Sequence, residues 1–221
     1  MRATTVLILV CLIASLWAWQ QPAAFAERNL IFSSTNLFHG RGWTLLPALF
    51  VHASPLHLLG NMLFLFVFGR TLEKTVGAAK HVLVFFSGGL AGFLFSLSFM
   101  PAGSGMLGAS AAIFTVAACV MLVSPLKFSW LFFAPQGLVA IVYFVYNVVV
   151  VYHPSRIPGY DHSVAYVAHI IGFVAGIPFG IALSAHWKKN LLITLALLGI
   201  YLAIISGTVG AFIHSLGAIM Q

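Results

Sequence analysis

Residues 164–184 read VAYVAHIIGFVAGIPFGIALS, an apolar segment without a charged residue. Its length matches the roughly 20 apolar residues that a helix needs to cross a bilayer. Gly172, Gly176 and Gly180 recur every four residues, so they share one helix face and form a smooth stripe that a neighbouring helix can approach closely. His169 lies in the same segment, and a polar side chain inside a membrane is costly enough to indicate a functional site.

The composition of the whole chain indicates a protein that crosses the membrane several times. Of its 221 residues, 62% are hydrophobic and 6% are charged, with a mean hydropathy of +1.08. Soluble domains are nearer ~45–50% apolar and ~25% charged. The net charge of +7 fits Lys and Arg at the cytoplasmic ends of spans better than nucleic-acid binding. Disorder, a disulfide scaffold, a nucleic-acid-binding domain and a cytosolic enzyme are therefore excluded, and Cys11 and Cys119 are expected to be core residues.

Seven apolar runs predict an all-α, polytopic membrane helix bundle. The first run is either a retained helix, which interfacial Trp17 and Trp19 favour, or a signal peptide cleaved after Ala24-Phe25-Ala26. We expect it to be retained, and we expect Pro135 in the first turn of the fifth span. The predicted spans are Thr4–Trp19, Pro55–Leu72, Lys80–Met100, Gly108–Val123, Leu131–Tyr152, Val164–Ser184 and Leu191–His214.

The basic residues predict the orientation of these spans. With the N-terminus in the cytoplasm, seven Lys and Arg residues lie inside and three lie outside, as the positive-inside rule requires. The acidic residues Glu27 and Asp161 and the one long connection, about 20–54, are then outside. We expect a single membrane domain over residues 1–221, in a prokaryotic plasma membrane. The inner group is Arg2, Arg70, Lys74, Lys80, Lys127, Lys188 and Lys189, and the outer group is Arg28, Arg41 and Arg156.

Four polar residues lie at one depth of the predicted bundle: His57, Asn61, Ser110 and His169. They belong to spans two, four and six, which all run from outside to inside. Each residue is within about two turns of the outer end, which places it roughly 10 Å deep or less. The run of small residues over 108–112 allows spans four and six to pack closely, so we expect Ser110 to approach His169.

These side chains fit nucleophilic catalysis. A serine hydroxyl needs a base to take its proton, and His169 would supply one. Glu27, Glu73 and Asp161 are the only acids in the chain, and none of them reaches the histidine from within the membrane, so we predict a Ser–His dyad without a third member. Phe114, one turn after the serine, would hold the imidazole by stacking. The remaining polar groups, which would form an oxyanion hole, are His57, Asn61 and the backbone N–H of Ser110.

The chain resembles the rhomboid family of intramembrane serine proteases. The resemblance extends from about Trp43 to Ser184, and it consists of four motifs in the family's order. Any one motif is weakly specific, whereas the four together are highly specific. The motifs are His52-x4-His57-x3-Asn61, Gly69-x3-Glu73-x3-Gly77, Gly108-x-Ser110 and Ala168-His169-x2-Gly172-x3-Gly176.

The resemblance implies a role for each matching residue. Ser110 would be the nucleophile and His169 the general base, with His57 and Asn61 stabilising the oxyanion. His52 would be a structural or hydrogen-bonding residue near the mouth of the site. Two further residues would support the site, namely Gly108, which precedes the nucleophile, and Phe114, which stands where the family often has Tyr.

The resemblance also implies an architecture and an activity. The bundle would consist of the family's six core helices and one extra helix at the C-terminus, about residues 191–214. The core would include about residues 43–184, and the long first loop would be helical and partly embedded in the membrane. The family often has Trp-Arg in that loop, whereas this chain reads Arg41-Gly42-Trp43-Thr44. Family members cleave membrane proteins within or near a transmembrane segment and need no metal or cofactor.

Three other functions remain open from the sequence. Polar groups at one depth also occur in transporters and channels. The sequence, however, has no intramembrane Asp or Glu, no evident inverted repeat and no polar stripe that reaches the inner side. An inactive rhomboid-like protein would bind membrane helices without cutting them. A zinc site made of His52, His57 and His169 is a weaker alternative, because no HExxH pattern accompanies these histidines.

Overall fold

The computed structural model describes residues 2–154 and 165–219. Arg156 and Asp161, which the sequence analysis assigns to an outer connection, lie outside the described residues, as does Val164. The described secondary structure is almost entirely helical, which confirms the all-α class. The helices are α1 (Ala3–Ala18), α2 (Ala23–Asn29), α3 (Ser34–Phe38), α4 (Pro55–Val76), α5 (Ala78–Ser96), α6 (Ser110–Val123), α7 (Gln136–Tyr152), α8 (Tyr166–Leu183) and α9 (Trp187–Ile219).

The apolar helices have the lengths expected of a membrane bundle. Helices α4, α5, α8 and the Trp187–Thr208 part of α9 are each long and apolar enough to cross a bilayer. Helices α1, α6 and α7 are also apolar but shorter, and they coincide with the other three predicted spans. Every predicted span therefore corresponds to an apolar helix, and the chain folds as a polytopic membrane protein.

The start of the fifth predicted span is wrong. Helix α7 begins at Gln136 rather than at Leu131, because the chain first forms a small hairpin in which Phe128–Ser129 (β1) pairs antiparallel with Ala134–Pro135 (β2). The backbone N–H of Gln136 donates to the Lys127 carbonyl at 2.8 Å and closes this hairpin. Pro135 consequently precedes the helix with an extended ψ of 137° and does not lie in its first turn.

Helix α6 is at the centre of the bundle and meets α8 along the predicted glycine stripe. A Cβ atom added to Gly172 would overlap the carbonyl oxygen of Ala111, and one added to Gly180 would lie 2.7 Å from Cδ1 of Leu122. The Thr115 hydroxyl donates a hydrogen bond of 2.7 Å to the Gly172 carbonyl across the interface. The two backbones are thus in direct contact, as small residues allow in a membrane.

The long first connection has its own structure, as its length suggests. It contains α2, α3 and two short 3₁₀ turns, and the side chain of Arg41 organises it: Nε donates to Oδ1 of Asn36 at 2.8 Å. Asn36 in turn donates to the carbonyls of Glu27 and Ile31 at 2.8 and 2.7 Å. An arginine therefore holds this loop even though it comes before the tryptophan, Trp43, rather than after it.

Helix α1 is fastened to the bundle at both ends. At its start, the Glu73 carboxylate accepts hydrogen bonds from the backbone N–H groups of Ala3 and Thr4 at 2.8 and 3.0 Å, and so caps the helix. Near its end, the Ser15 hydroxyl lies 3.1 Å from Nδ1 of His52. These contacts join the first hydrophobic run to α4 and to the segment before it.

Candidate active site

Ser110 is the first residue of α6, at the point where the chain turns into the helix. The turn depends on Gly108, whose φ of 109° is a conformation that other residues adopt with strain. A side chain on Gly108 would also come within 2.9 Å of the His57 ring. Helix α6 therefore begins at Ser110, two residues after the predicted start of this span at Gly108, and the absence of a side chain on Gly108 leaves room for the His57 ring.

His169, in the first turn of α8, reaches Ser110 directly. Its Nε2 lies 2.8 Å from Oγ of Ser110, which is hydrogen-bond distance. The Phe114 ring stacks on the imidazole with a centroid separation of 4.7 Å and an interplanar angle of 8°. The close approach of α6 and α8 thus brings together the hydroxyl, the imidazole and the aromatic ring that the sequence analysis selected.

The structure adds a residue that the sequence analysis missed. Asn147 of α7 is buried, and its Oδ1 lies 2.7 Å from Nδ1 of His169. The predicted dyad is corrected on this point, because a third side chain does contact the histidine, and it is a carboxamide rather than an acid. A signal was available, since Asn147 is a strongly polar residue within the apolar run 131–152.

The proposed oxyanion groups lie on α4. Asn61 is one helical turn after His57 and donates a hydrogen bond of 2.9 Å from Nδ2 to the His57 carbonyl. Its Oδ1 is buried and has no hydrogen-bond partner within the described residues. Because an amide nitrogen carries two hydrogens, a second N–H of Asn61 is not used by this bond.

His52 supports this region from the segment before α4. Its Nδ1 faces the Ser15 hydroxyl, and its Nε2 accepts a long hydrogen bond of 3.4 Å from the backbone N–H of Ala109, the residue before Ser110. Its ring also packs edge-on against that of His57, with centroids 5.1 Å apart. His52 therefore links α1 and α4 to the start of α6.

A cavity of about 150 Å³ opens beside the serine and the histidine. It is large enough for water or a small side chain, and it lies between α4, α6 and α7. No three His, Cys, Asp or Glu side chains of the described residues converge as a metal would require, so the alternative zinc site from the three histidines is not assembled. The cavity is lined by Gly60, Asn61, Phe64, Ser110, Ile113, Phe114, Tyr143 and His169.

The fold and the site together define a helical membrane protein with a serine–histidine pair inside its bundle. Residues 39–186 match the family described as Rhomboid domain, which covers more than half of the chain. The chain belongs to the rhomboid family.

Three curated relatives come from a plant, a mouse and a bacterium. RHOMBOID-like protein 7 of Arabidopsis thaliana is 30% identical over 67% of this chain and 46% of its own length. Rhomboid-related protein 2 of Mus musculus is 29% identical over 68% of this chain and 51% of its own. Rhomboid protease GluP of Bacillus subtilis (strain 168) is 27% identical over 73% of this chain and 31% of its own. The chain thus spans about a third to a half of the length of these relatives.

Proposed function

We propose that the protein is an intramembrane serine endopeptidase that hydrolyses peptide bonds in or near the transmembrane segments of membrane proteins. The observation that carries the proposal is the 2.8 Å distance between Oγ of Ser110 and Nε2 of His169 within an apolar helix bundle. A serine hydroxyl beside a base is the arrangement that nucleophilic catalysis needs. Membership of the rhomboid family and similarity to the relative Rhomboid protease GluP support the same activity.

In the proposed reaction, Oγ of Ser110 attacks the scissile carbonyl carbon while Nε2 of His169 accepts the hydroxyl proton. The oxyanion that forms accepts hydrogen bonds from the unused N–H of Asn61, from His57 and from the backbone N–H of Ser110. This backbone N–H has no acceptor within α6, because it belongs to the first turn of the helix. The imidazolium then protonates the leaving amine, and an acyl ester remains on Oγ. His169 next takes a proton from water while the water oxygen attacks the ester carbon. It then gives this proton to Oγ as the bond between Oγ and the acyl carbon breaks, which releases the acid and restores the hydroxyl.

The orientation belongs to this proposal. We place the N-terminus and the basic residues near the ends of α4 and α5 on the cytoplasmic side, following the excess of Lys and Arg there. Ser110 and His169 then lie in the half of the bilayer that faces away from the cytoplasm. Water would reach them through the cavity beside Ser110.

The cavity also indicates the kind of bond that would be cut. A volume of about 150 Å³ leaves room for a small side chain next to the scissile bond. A peptide bond in an intact helix is shielded by its neighbours, so the substrate must unwind locally. Gly or Pro near the cleaved bond would lower the cost of that unwinding.

Substrates would reach the cavity between α4 and α7. These two helices meet through aromatic side chains, chiefly Phe64 against Tyr143 with ring centroids 4.6 Å apart. Phe132, just before α7, packs on the same Phe64 ring at 4.7 Å. Side chains can change rotamer without breaking a backbone contact, so this is the face of the site where we expect the helices to part. Helix α9, which follows the matched region, is proposed to be an addition to the six-helix core.

The proposal is tested by measuring cleavage of a transmembrane substrate by purified protein in liposomes. We expect Ser110→Ala and His169→Ala each to abolish cleavage while the protein remains folded. The matched controls Ser206→Ala and His39→Ala remove exposed side chains of the same types and should leave cleavage unchanged. Cleavage by Ser110→Ala protein would contradict the proposal, and substrate binding without cleavage by the unaltered protein would identify an inactive binder of membrane helices.

A further inference from the structure

Asn147 forms a connected pair of short hydrogen bonds in the bundle interior. Its Nδ2 donates to the backbone carbonyl of Tyr143, one turn earlier on α7, at 2.7 Å. Its Oδ1 lies 2.7 Å from Nδ1 of His169 on α8. The side chain is 2% exposed, so water does not compete for either bond.

The first of these bonds determines the second. A carbonyl can only accept, so the Tyr143 carbonyl must face the NH₂ end of the Asn147 amide, and the oxygen end must face His169. The amide oxygen is likewise only an acceptor, so Nδ1 of His169 must carry the proton. The other ring nitrogen, Nε2, is then left with a free lone pair directed at the Ser110 hydroxyl 2.8 Å away.

We infer that Asn147 is a positioning residue that holds His169 in the one tautomer and ring orientation able to accept the Ser110 proton. The inference rests on the proposed function. Asn147 touches no reacting atom and acts through the histidine, as the third member of a Ser–His–Asp triad does. It differs from that member in being neutral, which suits a site where a buried carboxylate would have to be desolvated.

The neutral amide has a further consequence during the reaction. When His169 becomes an imidazolium, both ring nitrogens donate, and the Asn147 oxygen still accepts from Nδ1 without rearrangement. Phe114 fixes the plane of the same ring from one face. Phe114 of α6 and Asn147 of α7 thus fix the plane and the orientation of the ring.

The test compares two replacements of Asn147 in the full-length protein. Asn147→Leu keeps the branched shape of the side chain but removes the acceptor, and we expect kcat to fall roughly 10- to 100-fold with KM nearly unchanged. Asn147→Asp restores most of kcat, because a carboxyl group accepts from Nδ1 in either protonation state. Labelling of Ser110 by a small fluorophosphonate, which needs no movement of α7 for a bulky substrate, should slow by a similar factor in the Leu variant.

Controls separate positioning from structure. Asn190→Leu removes another amide, which is half-buried and donates to the Leu122 carbonyl at 2.8 Å at the far end of α6 from the site, and it should leave kcat and the labelling rate per folded protein unchanged. Should the Leu variant fail to fold, Asn147→Ala is expected to lower kcat in the same way.

Three results would decide against the inference or its basis. Wild-type kcat in Asn147→Leu, with Ser110→Ala and His169→Ala inactive, would refute the role of Asn147 and leave the proposed function standing. A loss that appears only in KM, or that Asp does not restore, would assign Asn147 a purely structural role. Cleavage by Ser110→Ala protein would instead remove the proposed function itself.

Discussion

Two interfaces beside Ser110 are built in opposite ways. Helices α6 and α8 meet backbone to backbone, because a side chain at Gly172 would overlap the Ala111 carbonyl and the Thr115 hydroxyl bonds across to α8. Helices α4 and α7 meet through large rings, with Phe64 against Tyr143. The first interface has no room for adjustment, whereas the second can change by rotation of side chains.

The difference matches the proposed tasks of the two interfaces. The serine and the histidine must stay within hydrogen-bond reach through the reaction, and the rigid α6–α8 contact carries one of them on each helix. The substrate must be admitted, and the aromatic α4–α7 contact borders the cavity beside Ser110. Asn147 links the two, since it lies on α7 and bonds to His169 on α8.

The largest effect is expected from breaking the rigid interface. Gly172→Leu forces α8 away from the Ala111 carbonyl, and we expect it to lower the free energy of unfolding by about 3 kcal/mol and to abolish cleavage. Unfolding in mild detergent, followed by circular dichroism, measures the first effect. Gly199→Leu on α9, where an added Cβ meets nothing within 4 Å, is the matched control and should change neither quantity. Normal stability in the Gly172 variant would show that the two backbones are not in contact.

Locking the adjustable interface should stop cleavage without unfolding the protein. We would replace Phe68 and Phe132, whose rings lie 6.4 Å apart, with cysteine in a background where Cys11 and Cys119 are alanine, and join them with a bifunctional thiol reagent. Cleavage of a transmembrane substrate should be lost, while fluorophosphonate labelling of Ser110 continues. The same double variant without the reagent is the control, and unchanged cleavage after complete cross-linking would contradict access between α4 and α7.

A smaller effect is expected from the ring that stacks on the histidine. Phe114→Leu removes a stacking interaction worth about 0.5–1.5 kcal/mol, so kcat should fall roughly two- to tenfold. Phe114→Tyr keeps the ring and should retain kcat near the wild-type value. Steady-state kinetics on both variants would check this, and equal losses in the two would show that stacking is not what matters.

Much of the fold follows from short-range rules. The glycine stripe of α8 and the small residues around Ser110 predict one close interface, and a polar residue in an apolar run is conspicuous. The sequence alone therefore predicts that Ser110, His169 and Phe114 lie together. The family match over residues 39–186 confirms the assignment to the rhomboid family.

Other features depend on contacts that no local pattern encodes. The sequence does not identify Asn147 as a partner of His169, because its position in an apolar run does not say which helix it faces and because the third member of a Ser–His–Asp triad is an acid. The hairpin before α7 was missed because Leu131 to Phe133 are as apolar as the helix that follows. The hydrogen bond that closes this hairpin joins Gln136 to Lys127, nine residues apart.

The central claim is that Ser110 is a nucleophile activated by His169, and covalent labelling tests it most directly. Purified protein in liposomes would be treated with a fluorophosphonate and digested, and the adduct would be located by mass spectrometry. The account predicts a single adduct on Ser110, none in Ser110→Ala, and strongly slowed labelling in His169→Ala. No adduct on Ser110 in folded protein, or labelling that proceeds equally fast without the imidazole, would contradict it.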